Sequence, residues 1–291
     1  MMEEYIEYLD WQDRLRSQPK YIEYLDWEYR LLTALPVKVC QLKGLKRFTL
    51  VGNLLTSLPV EFVQLQNLRC LILNDNRFTS PPALIGQLSN LQSLWFDNNQ
   101  ITSLPVELGQ LGNLERLFLR NNKLTSLPPE IGQLRSLMYL FLDKNELTSI
   151  PAEISQLGKL RELWLNDNQL TSLPPKIYQM SNITLLGLGN NKFTIVPAEI
   201  SQMTGLQWVS FKDNQLTFLP LEIGRLRKLK RIRINYFLNR GNRSRDIRAV
   251  RTLVNLRNPR RIREIDIISR QNNRRRCMTL LHFEAAALYG K

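Results

Sequence analysis

Apolar and polar positions recur along most of this chain every 23 residues, and the stretch Leu114–Ser136 shows the pattern most cleanly. Counting Leu114 as position 1, apolar residues fall at positions 4 (Leu117), 6 (Leu119), 11 (Leu124), 14 (Leu127) and 21 (Leu134), with Asn122 at 9 and Pro128 at 15. Leu117 and Leu119 alternate with Arg116, Phe118 and Arg120. That period of two predicts a short strand that buries one face and shows the other. Asn122 then turns the chain inward. Its side chain carries an acceptor and two donors, so at a buried turn it can satisfy backbone groups that lose strand partners. Pro128 ends the local geometry, and the EIGQL segment is assigned to the outer arc.

Eight such units begin at Leu45, Leu68, Leu91, Leu114, Leu137, Leu160, Ile183 and Leu206. The turn asparagine is present in all of them: Asn53, Asn76, Asn99, Asn122, Asn145, Asn168, Asn191 and Asn214. Position 15 is proline from Pro36 through Pro220, and Pro81 replaces one core leucine. A divergent first unit, residues 22–44, aligns through Ile22, Leu25 and Trp27, with Arg30 where asparagine belongs. A ninth begins at Leu229 and stops at Phe237, which occupies the asparagine position. One such unit cannot bury its own apolar face, so stacking is obligatory and a single repeat is expected to be unfolded.

The spacing LxxLxLxxNxL, carried here by LWLNDNQLTSLP and ITSLPVELGQLGNLERL, resembles the leucine-rich repeats of Ras-pathway scaffolds, Scribble-type proteins and the plant Ras-group family. Similar arrays occur in some bacteria and large DNA viruses. The resemblance covers about residues 22–238 and implies an α/β solenoid: curved, with about ten parallel strands lining a concave face that binds other proteins, commonly in signalling. The expected organisation is an N-terminal cap (1–21), the repeat domain (22–238) and a basic, partly helical C-terminal extension (239–291). The cap holds a first copy of YIEYLDW, Tyr5–Trp11, whose second copy, Tyr21–Trp27, is in register with the repeats. The first copy reads either as a helix or flap over the end of the stack, with Tyr5, Ile6 and Leu9 inward, or as a local duplication. In the extension, Ser244 caps an expected helix reaching about Leu256, Asn258-Pro259 breaks it, a second basic amphipathic stretch runs from Arg260 to about Ile268, and a final helix starts at Cys277.

Charge is the most uneven quantity. Residues 225–276 hold 19 Lys/Arg and 3 Asp/Glu, a net of +16, against +14 for the whole chain. Three widely spaced cysteines, Cys40, Cys70 and Cys277, an acidic start and no apolar run of membrane-spanning length point to a reducing, cytoplasmic setting. Catalytic chemistry finds no foothold. The one histidine, His282, has no nucleophile or carboxylate pair in a recognisable motif around it, and GLGNNK at Gly187 places its glycines on the strand face, not in a phosphate loop. No Cys/His cluster has metal-ligand spacing. The expectation is therefore a non-enzymatic chain with no metal, cofactor or small-molecule substrate.

The variable outward positions hold the functional claim. Position 5 reads Asp26, Thr49, Ile72, Trp95, Phe118, Phe141, Trp164, Gly187, Ser210 and Arg233, so four consecutive aromatics form a ladder ~15 Å long at ~4.8 Å per strand. Position 3 adds Arg116, Tyr139, Glu162 and Trp208, and positions 7 and 8 add a rim of Asp97, Arg120, Asp143, Lys144 and Asp167. Exposed aromatic and Arg anchors rimmed by mixed charge suit a protein partner, and the other reading of the aromatics is mutual stacking that only covers the sheet. A second candidate is the basic extension, where Arg245, Arg248, Arg260, Arg261, Arg263, Arg274, Arg275 and Arg276 could contact nucleic acid or an anionic membrane.

Overall fold

The computed structural model describes residues 22–217, 219–236 and 264–269. The chain divides into two compact units, the first running to Lys123 and including Glu130–Leu137, the second holding Leu124–Pro129 and everything from Met138. In the first, strands β1 (Tyr24–Asp26), β2 (Arg47–Thr49), β3 (Cys70–Ile72), β4 (Ser93–Trp95) and β5 (Arg116–Phe118) pair in sequence order, all parallel. In the second, β6 (Tyr139–Phe141), β7 (Glu162–Trp164), β8 (Leu185–Gly187), β9 (Trp208–Ser210), β10 (Arg231–Tyr236) and β11 (Glu264–Ser269) do the same. Strands β1 to β9 occupy positions 3 to 5 of their repeats, and the pairings run in a register of 23 residues, Leu94 opposite Leu117 for example. This is the α/β repeat solenoid that the periodicity predicts, with ten repeat strands and one more.

Positions 4, 6, 11 and 21 point inward and are buried almost without exception, from Phe48, Leu50 and Leu55 to Leu186 and Leu188. After position 15 the chain makes a five-residue 3₁₀ turn, as at Val106–Gln110 after Pro105 and Ala152–Gln156 after Pro151. The proline supplies the fixed φ that starts the turn, and its carbonyl accepts the N–H three residues on. The side chain at position 18 (Phe62, Ile85, Ile154, Ile200) drops into the core. The outer arc is thus built of tight 3₁₀ turns, and no α-helix occurs among the described residues.

The turn asparagines do what their chemistry predicts. Asn168 donates from Nδ2 to the carbonyls of Leu142 (2.9 Å), Leu165 (3.1 Å) and Asn166 (3.2 Å), and its Oδ1 accepts the N–H of Leu147 at 3.0 Å. Asn76 repeats the set with Leu50, Leu73, Asn74 and Leu55. One side chain therefore satisfies four backbone groups divided between two repeats. The residue before it carries a constraint that the sequence reading missed. Position 8 is left-handed throughout, with φ between 49° and 58° at Asp75, Asn98, Asn121, Lys144, Asp167, Asn190 and Asp213, and 68° at Gly52. Asn, Asp and Gly bear that conformation most cheaply, which accounts for the N-D-N, D-N-N and L-R-N-N runs at the turns.

The last repeat departs from this pattern. Phe237 stands at its asparagine position, and β10 runs on to six residues, pairing along its whole length with β11, Arg231 opposite Glu264 through Tyr236 opposite Ser269. Part of the stretch expected to be amphipathic from Arg260 to Ile268 is therefore a strand. Ile265 and Ile267 alternate with Glu264 and Asp266 there, a period of two that suits a strand. The second YIEYLDW copy supplies β1. Its first copy, the helices expected after Ser244 and Cys277, and the flanking loop lie outside the described residues.

Burial also sets the acid–base behaviour of the core. It pushes the Cys40 thiol up to about 11, helped by the nearby Glu61 charge, and the Tyr178 phenol up to about 12, with Glu199 adding to the effect. Both groups hold their protons to higher pH when folded. Their contribution to stability is full below about pH 9 and drains as pH rises towards about 12, because the unfolded chain ionises first. The urea midpoint should fall on going from about pH 8.5 to 10.5, and Tyr178→Phe should flatten the upper part of that decline. Replacing Asn168 by Leu leaves the Leu147 N–H buried without a partner and strips one of two donors from the carbonyls of Leu142, Leu165 and Asn166, and should cost about 2 kcal/mol or more in equilibrium unfolding. A loss below about 1 kcal/mol would remove the asparagine from its assigned role.

Candidate functional site

The outward aromatics resolve into a stacked pair in the first unit and a cluster in the second. Trp95 lies flat on Phe118, ring centroids 3.7 Å apart and planes 17° from parallel. Arg120 reaches over the other part of this pair, its guanidinium carbon 5.8 Å from the Phe118 centroid. Arg116 is half-buried and pairs with Glu115 at 3.2 Å. The indole N–H of Trp95 is buried with no hydrogen-bond partner among the described residues.

In the second unit Phe141 stacks on Trp164 at 6.1 Å and 13°, and Trp164 meets Trp208 at 5.0 Å with a tilt of 37°. Trp208 sits two repeats beyond Trp164 and on a different position, so the two rings meet across β8. Gly187 permits this. A Cβ there would stand 2.9 Å from Trp164 Cε3 and 2.5 Å from Asn166 Nδ2, so only a residue without a side chain lets the indole lie over the strand. The glycine set aside as a false phosphate loop thus shapes the aromatic face. Glu162, at position 3 of the same strand, accepts the Trp164 indole N–H through Oε2 at 3.0 Å and fixes the ring's orientation. Tyr139 stands half-buried at the corresponding place on β6.

Two expectations need correcting. The ladder was expected to be openly exposed, yet Phe118 and Phe141 are only 8% and 9% accessible, while Trp95, Trp164 and Trp208 are half-buried. Rings on neighbouring parallel strands are close enough to cover one another, so each presents an edge or part of a face. The acidic rim is also partly structural. Asp97 accepts the Arg120 N–H at 2.6 Å, and Asp143 accepts the N–H and the side-chain amide of Asn166 at 3.0 and 2.7 Å. Asn74 and Asn166 do the same for Asp97 and Gly189, so position 7 caps the backbone of the next repeat. Arg245, Arg248, Arg260, Arg261, Arg263, Arg274, Arg275 and Arg276, and His282, lie outside the described residues.

A family model described as a leucine-rich repeat region matches residues 137–285, and shorter leucine-rich repeat models match 66–108 and 113–134. The chain belongs to the leucine-rich repeat family. A leucine-rich repeat protein of Leptospira interrogans is 32% identical, over 89% of this chain and 81% of that one, with a TM-score of 0.58. The plant peptide hormone receptor RGFR1, solved in complex with RGF2, is 31% identical over 69% of this chain, which spans 34% of the receptor, with a TM-score of 0.61. A TDR receptor is 26% identical over 73% of this chain and 46% of its own, with a TM-score of 0.58. A search among curated proteins finds no match. Among the described residues of this leucine-rich repeat protein, no group of His, Cys, Asp and Glu could hold a metal ion, and no helix is long and apolar enough to cross a membrane.

The Trp164–Trp208 contact offers a direct check on Gly187. Two indoles 5.0 Å apart couple excitonically, so the folded chain should show a split circular dichroism band that Trp208→Leu removes. Gly187→Ala should weaken that band while leaving the strand content unchanged, and an unaltered band would mean that the ring does not depend on the glycine.

Proposed function

We propose that this leucine-rich repeat chain is a non-enzymatic interaction module, a signalling scaffold of the cytoplasm, whose outward sheet face docks a protein or peptide partner. The observation that carries the reading is the second unit's cluster. Three aromatic rings, Phe141, Trp164 and Trp208, are held in one orientation by stacking, by the Glu162 hydrogen bond and by the gap at Gly187. Rigid, half-buried aromatics spend little conformational entropy on binding and supply most of the energy at protein interfaces. Trp95, Phe118 and Arg116 give the first unit a smaller version of the same surface, and Tyr139 and Glu162 add polar selectivity. A related plant receptor is known in complex with RGF2, which supports the reading by analogy of fold.

The test borrows residues that the repeats already use at these positions. Trp164→Ser copies Ser210, and Trp208→Leu copies Leu185, so both should leave the solenoid intact. With the purified chain as bait, each should reduce capture of its partner about tenfold or more. Equal capture by the double variant would sink the proposal. Capture that instead falls steeply with salt and disappears on truncation at Asn239 would move the function to the basic extension.

A further inference from the structure

The second unit has one margin of a single charge. Backbone hydrogen bonds from Arg161 to Met138 (2.9 Å), Thr184 to Arg161 (2.8 Å), Gln207 to Thr184 (2.8 Å) and Lys230 to Gln207 (2.8 Å) line up position 2 along the edge where the strands begin. The side chains of positions 22, 23 and 2 on this edge include Lys159, Arg161, Arg227, Lys228 and Lys230, all exposed, and no Asp or Glu. The opposite rim mixes Asp143, Glu146, Asp167 and Asp213 with Lys144, Lys192 and Lys212. Like charges without counter-charges are held together at an electrostatic cost, and a partner carrying carboxylates relieves it.

Within this edge lies a half-open hollow of about 480 Å³ whose walls include Tyr139, Lys159, Arg161, Glu162 and Thr184. It lies where a second asparagine ladder is interrupted. Asn67, Asn90 and Asn113, at position 23, each bond the carbonyl 24 residues back, at 2.8, 2.8 and 2.9 Å, and Asn182 bonds Gly158 in the same way. At Ser136, Lys159, Gly205 and Lys228 the asparagine is missing. The charged ends of Lys159 and Arg161 have no ion pair among the described residues, and a Cβ placed on Gly158 would meet only open space. Tyr139 and Glu162 belong both to this hollow and to the aromatic face.

We propose that the hollow takes the carboxylate of an Asp or Glu side chain from an acidic peptide segment whose neighbouring apolar residues lie on Trp164 and Trp208. The proposal rests on the aromatic face being the docking surface and names the chemistry of its partner. Lys159 and Arg161 pair with the carboxylate, and Glu162 is placed to accept a peptide N–H. The same Glu162 in the wall disfavours a polyphosphate, which brings a charge at every step and no N–H along its backbone. A hollow of this size likewise matches one anchored side chain better than a continuous phosphate track.

The test uses the full chain and fluorescence anisotropy at physiological salt. Its probes are a labelled peptide of alternating leucine and aspartate, the counterpart with lysine for aspartate, and an oligothymidylate. Lys159→Asn with Arg161→Thr copies Asn182 and Thr184 and so keeps residues that the repeats already accommodate. That double variant should weaken the aspartate peptide about tenfold or more and leave the lysine peptide unchanged. Gly158→Gln, which fills the hollow from a position without positive φ, should produce the same loss. Undiminished affinity in both variants, no binding of the aspartate peptide by the native chain, or a preference for oligothymidylate would each overturn the proposal. A loss with the basic-pair variant but not with Trp164→Ser keeps the hollow and removes aromatic docking, whereas the reverse keeps the aromatic face and removes the hollow.

Discussion

A buried turn in a repeat stack creates a shortage of hydrogen-bond partners, and the rest of this structure depends on how the shortage is met. When the chain leaves a three-residue strand, the carbonyl at position 6 and the N–H at position 11 have no strand to face. The asparagine at position 9 donates to the position-6 carbonyls of its own repeat and of the repeat before, and to its own position-7 carbonyl, which also accepts the position-8 N–H of that earlier repeat, and it accepts an N–H from position 11 there. Each unsatisfied group would cost roughly 1–3 kcal/mol in the core, so no alkyl side chain can substitute. The left-handed residue at position 8 is what aims the asparagine inward. The same economy recurs at position 7, where Asp97, Asp143 and Asn166 cap the next backbone, and at position 23, where Asn67 and its equivalents hold the lower margin.

Once these ladders carry the backbone, outward positions are released from structural duty, and their variation becomes informative. Glycine at 187 removes one side chain, and the indole of Trp164 moves over the vacated strand to meet Trp208. Lysine at 159 replaces one such asparagine beside a hollow that it lines with Arg161, neither having an ion pair among the described residues. In each case a local departure from the repeat accompanies a feature that the repeat itself lacks. Solenoids of the leucine-rich repeat family evolve binding surfaces cheaply for this reason, since a single outward substitution alters the face while leaving the core intact.

Much of the fold was legible in the residues. The 23-residue period, the period of two around position 4 and the asparagine after it specify a short buried strand, a turn and a return, and the parallel register follows because identical units stack with identical contacts. The strand at Glu264–Ser269 was harder to see. Its alternation is short and falls in a segment whose arginines dominate the pattern, and its partner β10 lies 33 residues back, outside the 23-residue register.

The candidate site was half legible. Sequence placed Trp95, Phe118, Phe141 and Trp164 on the outward face, because position 5 of a strand flanked by buried positions 4 and 6 has nowhere else to point. It overestimated their exposure, since coverage by a neighbouring ring is a property of two strands and not of one. It also read Asp97 and Asp143 as rim charges, although the geometry spends them on backbone N–H groups. The Trp164–Trp208 contact, the part played by Gly187 and the hollow beside Lys159 depend on distances between residues in different repeats. By itself the sequence determined which side of the sheet each residue occupies, because a strand's alternation is local chemistry. Only the tertiary structure decided which outward residues meet, because that depends on side-chain size and direction across neighbouring strands.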